Sequence, residues 1–71
     1  MQAVTNKINI NGERYESDTT LDIFSLLKYL GFKLNLVVID YNGTILPKEF
    51  WSKTLLKNGD NVEILTIAGG G

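Results

Sequence analysis

The residues of this chain best placed to do chemistry are Gly69-Gly70-Gly71, which put a carboxylate at the tip of a tail without side chains. Glycine loses more conformational freedom on ordering than any other residue, so this run is poor material for ending a strand and suits a tail that enters a narrow site. Extended at up to about 3.6 Å per residue, the three glycines reach roughly 10 Å beyond the fold. The reactive group is then the carboxylate of Gly71, or of Gly70 if Gly71 is not native. The competing interpretation is a frayed end without function.

Most other chemistries are excluded by composition, because the chain contains neither cysteine nor histidine. It therefore lacks disulfides, cysteine-ligated metals, the usual base of a serine or cysteine triad and the commonest transition-metal ligand. Asp18 and Asp22 form the only close acidic pair before a predicted helix, and we interpret them as residues of the helix start. We predict no metal site and no catalytic residue.

Size and charge indicate one small domain that binds neither nucleic acid nor membrane. The chain has 71 residues, 44% of them hydrophobic, and a net charge of −1. Its basic residues are spread from Lys7 to Lys57 and form no concentrated patch for phosphates. The longest apolar run, Leu36 to Ile39, is too short to span a bilayer, and the N-terminus lacks the apolar region of a signal peptide. We expect a soluble, intracellular protein.

The first third of the chain predicts a β-hairpin followed by a helix. Ile8 and Ile10 alternate with polar residues, and Asn11-Gly12 is the dipeptide that best fits a type I′ turn. Residues Glu13 to Glu16 should return antiparallel, with Tyr15 packed inward or over the edge. Apolar residues at helical spacing then follow: Leu21, Ile23, Phe24, Leu26, Leu27 and Leu30.

The ends of this helix carry their own signals. Thr19 with Asp22 three residues later resembles a capping box with a shorter acid than usual. Gly31 is predicted to end the helix at Leu30 in the left-handed conformation, with Phe32 folding back onto it.

The second half predicts two further turns between strands. Leu36 to Ile39 is apolar throughout, as expected of a strand covered on both faces or lying under the helix. Asn42-Gly43 repeats the hairpin signal, and Pro47 favours a short helical turn after it. Leu55 and Leu56 are expected to close the core, and Lys57 to Asp60 reads as a surface turn in which Asp60 satisfies the backbone.

The last strand, Val62 to Ala68, carries apolar residues on both faces and is predicted to be interior. If it pairs in parallel with the first strand, the root of the glycine tail is fixed at one edge of the sheet. We predict an α+β fold, a small mixed four- to five-stranded sheet with one main helix packed on one face. Residues 1–68 form the domain and residues 69–71 form a flexible tail.

Two groups of apolar residues are candidates for docking a partner. Leu65 and Ile67 lie beside the root of the tail, where an exposed apolar patch would mark an interface, and we predict that they dock a partner. For Phe50 and Trp51 we favour core packing, because a domain of this size needs most of its aromatic residues to close the interior.

In combination and in order, these features resemble the ubiquitin-like β-grasp sulfur carriers, most closely the ThiS family of thiamine biosynthesis. The resemblance covers essentially the whole chain and rests on these residues: the Asn11-Gly12 hairpin; Thr20-Leu21, Leu26-Leu27 and Leu30-Gly31 of the helix; Val37-Val38 followed by Asn42; Pro47 and Trp51; Asn58-Gly59-Asp60 with Val62-Glu63-Ile64; and the terminal glycines. Two features depart from the family pattern. Gly71 adds a third glycine to the usual two. Lys48 stands where relatives often carry an arginine, so the positive charge is kept but the planar guanidinium, which can form two parallel hydrogen bonds, is lost.

The resemblance implies a carrier that itself catalyses nothing and binds no cofactor. A ThiF-like adenylyltransferase would use ATP to convert the terminal carboxylate into an acyl adenylate. A sulfur donor such as a cysteine desulfurase would then leave a thiocarboxylate, which delivers sulfur to a ThiG-like thiazole synthase. Gly71 and Gly70 would be the sulfur-carrying end and Gly69 the rest of the tail. The expected compartment is the cytoplasm or the plastid stroma.

Three other functions remain open from the sequence. A carrier of the molybdopterin-synthase small-subunit type has the same fold and tail. A ubiquitin-like modifier conjugated to lysines would use the tail in another way. The last is a β-grasp interaction module in which the tail is incidental.

Overall fold

The computed structural model of the chain describes residues 5–67; residues 1–4 and 68–71, and with them the predicted tail, lie outside the described part. The strands are β1 (Asn6–Ile10), β2 (Glu13–Ser17), β3 (Val37–Tyr41), β4 (Thr44–Leu46) and β5 (Asn61–Thr66). The α-helix is α1 (Ile23–Leu30), and two 3₁₀ helices cover Leu34–Leu36 and Lys48–Lys53. The five strands form one sheet in the order β2-β1-β5-β3-β4. This is the predicted mixed sheet with one main helix.

Strand β5 occupies the centre of the sheet, as predicted. It pairs in parallel with β1 over Asn9↔Asn61 and Ile10↔Val62. On its other side it pairs antiparallel with β3, from Tyr41↔Val62 to Val37↔Thr66. The strand begins one residue before the predicted Val62 and ends at Thr66, while Ala68 lies outside the described residues.

Both Asn-Gly turns have the predicted geometry. Asn11 and Gly12 have φ values of 52° and 83°, and Asn42 and Gly43 have φ values of 52° and 91°. A type I′ turn requires positive φ at both central residues, which asparagine and glycine tolerate best. These turns join β1 to β2 and β3 to β4.

The helix begins later than the sequence predicts, and the capping box from Thr19 is wrong. Asp22 is the N-cap residue: its Oδ2 accepts the backbone N–H of Ser25 at 3.0 Å. Asp22 also forms an isolated antiparallel bridge with Leu55, which holds the chain before the helix extended. Asp22 therefore fulfils the helix-start role predicted for the acidic pair, whereas Asp18 lies in the bend that follows β2.

The helix ends as predicted. Gly31 has a φ of 86°, and its N–H bonds to the carbonyls of Leu27 and Lys28. The backbone N–H of Phe32 donates to the Leu27 carbonyl at 3.0 Å, which completes the folded-back arrangement expected after a left-handed glycine.

The core lies between α1 and one face of the sheet. Its buried residues are Ile8, Ile10, Ile23, Leu26, Leu27, Val37, Ile39, Trp51, Leu56, Val62 and Ile64. Trp51 is only 2% exposed, and its Nε1 donates to the Leu46 carbonyl at 3.1 Å. The predicted core role of Trp51 is confirmed.

Two other core predictions, for Phe50 and Leu55, need correction. Phe50 is 46% exposed, because neighbouring residues of a 3₁₀ helix point about 120° apart and Trp51 takes the inward position. Leu55 is exposed and Leu56 buried, since adjacent residues of an extended segment face opposite ways. Val38 is only half-buried: the helix covers one face of β3, which confirms the second of the two expected arrangements, a strand lying under the helix. Tyr15 lies on the edge strand β2 and is also exposed, which fits packing over the edge rather than inward.

Candidate functional site

The structure defines the root of the glycine tail. One residue past β5, the backbone N–H of Ile67 donates to the Leu36 carbonyl at 2.7 Å. The chain is thus hydrogen-bonded to the sheet up to four residues before Gly71. Gly69, Gly70 and Gly71 themselves lie outside the described residues, so their predicted role is untested by the fold.

Beside this root, the sheet face opposite the helix carries an apolar patch. Leu65 is 52% exposed and Ile67 is 49% exposed, whereas Val62 and Ile64 on the other face are buried. The register partner of Leu65 across the sheet is Val38, which is half-buried. We call Val38, Ile45, Leu65 and Ile67 the open-face patch.

The sequence predicts half of this patch. Leu65 and Ile67 can be identified because they precede the tail, and both are exposed there. Val38 and Ile45 cannot, since only the strand register shows that they share a face with Leu65. Val38 and Ile45 also line a groove of about 330 Å³ together with Pro47 and residues of the two 3₁₀ helices.

Lys48, where the sequence departs from the expected arginine, lies at the rim of this groove. It begins the second 3₁₀ helix, directly after Pro47. Its Nζ lies 6.0 Å from the centroid of the Trp51 ring, the range of a cation–π contact. The side chain therefore keeps a positive charge next to the apolar groove.

The open face becomes acidic farther from the tail. Asp40 and Glu63 are register partners on β3 and β5, two positions along from Val38 and Leu65. Like charges directly opposite each other on a sheet are unfavourable. The Asp40 carboxylate also bonds within its own turn, because its Oδ1 accepts the N–H of Gly43 at 2.8 Å. The face is therefore apolar next to the tail, at Val38, Leu65 and Ile67, and carries two acids beyond it, where Ile45 is the register partner of Asp40.

A second polar cluster lies at the other end of β5, around Asp60. Asp60 is 5% exposed, and its Oδ2 accepts the Tyr41 hydroxyl at 2.6 Å and the Lys57 backbone N–H at 2.7 Å. Its Oδ1 accepts Nδ2 of Asn42 at 3.2 Å. The predicted role of Asp60 in satisfying the turn is confirmed.

The electrostatics of this cluster favour an ionised Asp60. Burial alone raises the pKa of its carboxyl, but the hydrogen bonds from Tyr41, Lys57 and Asn42 outweigh burial and hold the pKa below its ordinary value. Burial and the bond to Asp60 raise the pKa of Tyr41. A carboxylate fixed in its charged form by three donors is a structural anchor and not a proton-transfer group.

The two turn asparagines bind β5 from both sides. Oδ1 of Asn11 accepts the Ile64 N–H at 2.7 Å, and its Nδ2 donates to the Ile64 carbonyl at 3.4 Å. Oδ1 of Asn42 accepts the Asn61 N–H at 2.7 Å. The sequence indicates only their turn role, because a positive φ already accounts for asparagine at both positions. Their side chains fix the strand that leads to the tail.

Metal sites and membrane spans can also be examined in the described part of the chain. Among residues 5–67, no three histidine, cysteine, aspartate or glutamate side chains lie together in a way that could hold a metal ion. No helix in those residues is both long and apolar enough to cross a membrane.

A five-stranded mixed sheet with a central last strand and one helix across a single face is a β-grasp domain of the ubiquitin-like class. A solved structure shares it: the ThiS thiamine biosynthesis protein of Geobacter metallireducens, at a TM-score of 0.79 and 32% identity, over 92% of this chain and 99% of that one. The model of the ThiS family matches residues 8–71. The chain belongs to the ThiS family.

Two further relatives are similar over most of the chain. The ycf40 protein of Trieres chinensis is 42% identical over 62 residues, which are 87% of this chain and 85% of that protein. A thiazole synthase of Paramagnetospirillum magneticum is 32% identical over 65 residues, which are 92% of this chain but only 20% of the synthase. The similarity to the synthase is therefore confined to one segment of a much longer protein.

Proposed function

We propose that this chain is the sulfur carrier of thiazole formation in thiamine biosynthesis, with sulfur carried on its C-terminal glycine. Membership of the ThiS family supports the pathway. The observation that carries the proposal for this chain is the central strand β5, hydrogen-bonded as far as Ile67 and followed in sequence by Ala68 and three glycines.

The chemistry would take place on the Gly71 carboxylate. Its oxygen attacks the α-phosphorus of ATP in an adenylyltransferase of the ThiF class, pyrophosphate leaves, and an acyl adenylate forms. The terminal sulfur of a persulfide on a donor such as a cysteine desulfurase then attacks the acyl carbon and displaces AMP, which forms an acyl disulfide. A thiol reductant attacks the donor sulfur of that disulfide, so a new disulfide forms and the thiocarboxylate is released. Glycine suits this reaction, because no Cβ crowds the attacked carbonyl. ATP binds to the partner, and the chain itself supplies only the carboxylate.

Docking would use the open-face patch. Leu65 and Ile67 are half-exposed apolar residues next to the tail root, where a partner must contact the domain while the tail enters its active site. Asp40 and Glu63 farther along the same face would pair with basic residues of the partner, which favours one orientation of docking.

The thiazole synthase relative supports the choice of acceptor. In Paramagnetospirillum magneticum, a segment similar to 92% of this chain is part of a protein named thiazole synthase. A carrier and an acceptor that occur in one polypeptide are expected to work in the same step. We therefore infer that this chain delivers sulfur to a ThiG-like thiazole synthase, in the cytoplasm or the plastid stroma.

The test is sulfur loading followed by intact-mass analysis. The full chain is incubated with the adenylyltransferase, ATP, a cysteine desulfurase, cysteine and a thiol reductant, and a mass increase of one oxygen-to-sulfur exchange is expected. Gly70→Val should fold normally and fail to load, since a β-branched residue crowds the reacting end. A chain that ends at Gly70 serves as the matched control and shows which glycine must be last.

Three outcomes would contradict the proposal. Normal loading of the Gly70→Val chain would show that the enzyme does not require glycine in the tail. Isopeptide-linked targets without thiocarboxylate would indicate a protein modifier. Loading that supports molybdopterin synthesis but not thiazole formation would indicate a carrier for the other pathway.

A further inference from the structure

The backbone of β5 is open on one side at Thr66. Ile67 donates its N–H to Leu36, on the β3 side, whereas Ile64 bonds through its N–H and C=O to Asn11, on the β1 side. Along a strand, successive residues direct their backbone groups alternately to the two sides. The N–H and C=O of Thr66 therefore point to the β1 side, as those of Ile64 do.

Strand β1 ends too early to pair with Thr66. Its backbone ladder with β5 finishes where the Asn11 N–H donates to the Val62 carbonyl at 2.9 Å. The Asn11 side chain extends the pairing to Ile64, and at Gly12 the chain turns back into β2. Within residues 5–67, no hydrogen bond reaches the N–H or C=O of Thr66 from this side. We call these two groups the Thr66 edge.

A groove lies next to Asn11 on the helix side of the sheet. It has a volume of about 390 Å³ and is lined by Ile10, Asn11, Glu13, Tyr15, Leu30 and Phe32. One of its lining residues, Asn11, bonds to Ile64, two positions before Thr66. A strand added at the Thr66 edge would point alternate side chains towards this groove. The edge thus combines unpaired backbone groups with a place for side chains.

We propose that the Thr66 edge is a strand-addition site, filled by an extended segment of the adenylyltransferase that activates the tail. This inference rests on the proposed function. The argument for this occupant is continuity with the tail: Ile67, Ala68 and three glycines follow Thr66, and an enzyme that holds this stretch would contact mostly backbone. Backbone hydrogen bonds to an added strand give affinity and set the register of the residues next to it. Pairing at Thr66 would fix how far the carboxylate reaches into the active site.

The test compares Thr66→Pro with Thr66→Val in the full chain. Proline removes the N–H, and it is compatible with β5 because that N–H does not bond to β3. We expect Thr66→Pro to weaken binding to the adenylyltransferase by about tenfold, the effect of one lost hydrogen bond. Thr66→Val keeps the N–H and should bind like the wild-type chain. Dissociation constants from calorimetry and loading from intact mass are measured for each chain.

A second measurement keeps the proposal testable if Thr66→Pro does not fold. Hydrogen exchange of wild-type amides should be fast at Thr66 and slow at Leu65 and Ile67 in the free chain. In the complex with the adenylyltransferase, the Thr66 amide should become protected, while exchange at exposed Leu55 stays unchanged.

Several results would overturn the proposal. One is equal binding of Thr66→Pro and wild type, and another is a Thr66 amide that exchanges as fast in the complex as in the free chain. A wild-type dimer that Thr66→Pro converts to a monomer would assign the edge to a second copy of this chain. Failure of the proposed function would give a different result. The wild-type chain would then fold and bind normally but would never gain sulfur.

Discussion

The two ends of β5 differ in almost every respect. At the Asn61 end, the strand is paired with β1 and β3, and the adjoining Asp60 carboxylate is buried and accepts three hydrogen bonds. At the Thr66 end, β3 is the one neighbouring strand within residues 5–67, and Leu65 and Ile67 are half-exposed. The hydrogen bonds that stabilise β5 are therefore concentrated at the end far from the tail. The exposed surface that could bind a partner lies at the end next to the tail.

This difference shows how a small domain can hold a tail firmly and still present it. The buried polar bonds around Asp60 order the start of β5, and the long ladder with β3 carries that order to Ile67. Groups that would bind a partner need not contribute to folding, so they can stay open. We expect mutations at the Asn61 end to change stability and mutations at the Thr66 end to change binding.

The largest effect on stability is expected for Asp60→Ala. It leaves the Tyr41 hydroxyl, the Lys57 N–H and the Asn42 amide without their acceptor in a buried site. A lost hydrogen bond costs about 1 kcal/mol, and up to about 3 kcal/mol when its acceptor is charged, so the three part-buried bonds together predict a loss of about 3 kcal/mol in the free energy of unfolding. Urea unfolding at neutral pH measures it.

The matched control for this change is Asp60→Asn. It keeps Oδ1 as an acceptor and loses the charge, so the loss should be smaller than for alanine. A loss below about 1 kcal/mol for Asp60→Ala would show that water replaces the carboxylate, and the contrast between the two ends of β5 would then be wrong.

A related but smaller effect is expected from acid. The folded pKa of Asp60 lies below its ordinary value of 3.8, so the unfolded chain takes up a proton first as pH falls. The stabilisation from Asp60 is complete above the unfolded pKa and is lost as pH falls through the folded pKa. Wild type and Asp60→Asn should therefore converge in stability towards the acid end of a urea series. Curves that stay parallel would contradict the bonded, ionised carboxylate.

Local turn and cap chemistry made much of this fold predictable. Asn11-Gly12 and Asn42-Gly43 have the required positive φ, and Gly31 ends the helix where expected, because these signals depend on neighbouring residues alone. The helix start was not predictable in this way. The extended conformation at Asp22 depends on its bridge to Leu55, a partner 33 residues away.

The candidate site divides along the same line. Leu65 and Ile67 could be found because they precede the glycines in the sequence. Val38 joins them only through its register with Leu65, and the Thr66 edge exists only because β1 ends at Ile10. Phe50 shows the same limit, since a small rotation of a 3₁₀ helix decides which of two aromatic neighbours enters the core. Pairing across the sheet has no short-range signal.

An intermediate effect on stability is expected for Asn11→Gly, which tests the contrast between the two ends of β5 from the tail end. Glycine retains the positive φ of the turn but removes both side-chain bonds to Ile64. We expect a loss of about 1 kcal/mol, with faster hydrogen exchange at Ile64. Asn42→Gly is the matched change at the other end and should cost more, because it also takes a donor from Asp60. Equal losses in the free energy of unfolding for the two variants would contradict the difference between the two ends of β5.

The smallest effect on stability, paired with a clear effect on function, is expected for Leu65→Ser. Leu65 is 52% exposed, and Leu55, at 57% exposed and outside the sheet, is its matched control. Each serine variant should change the free energy of unfolding by less than about 0.5 kcal/mol, as surface substitutions usually do. If the open-face patch docks the adenylyltransferase, Leu65→Ser should slow sulfur loading at limiting chain concentration, whereas Leu55→Ser should load like the wild-type chain. Equal loading of the two variants would show that the open-face patch does not contribute to docking. Docking would then depend on recognition of the backbone at the tail.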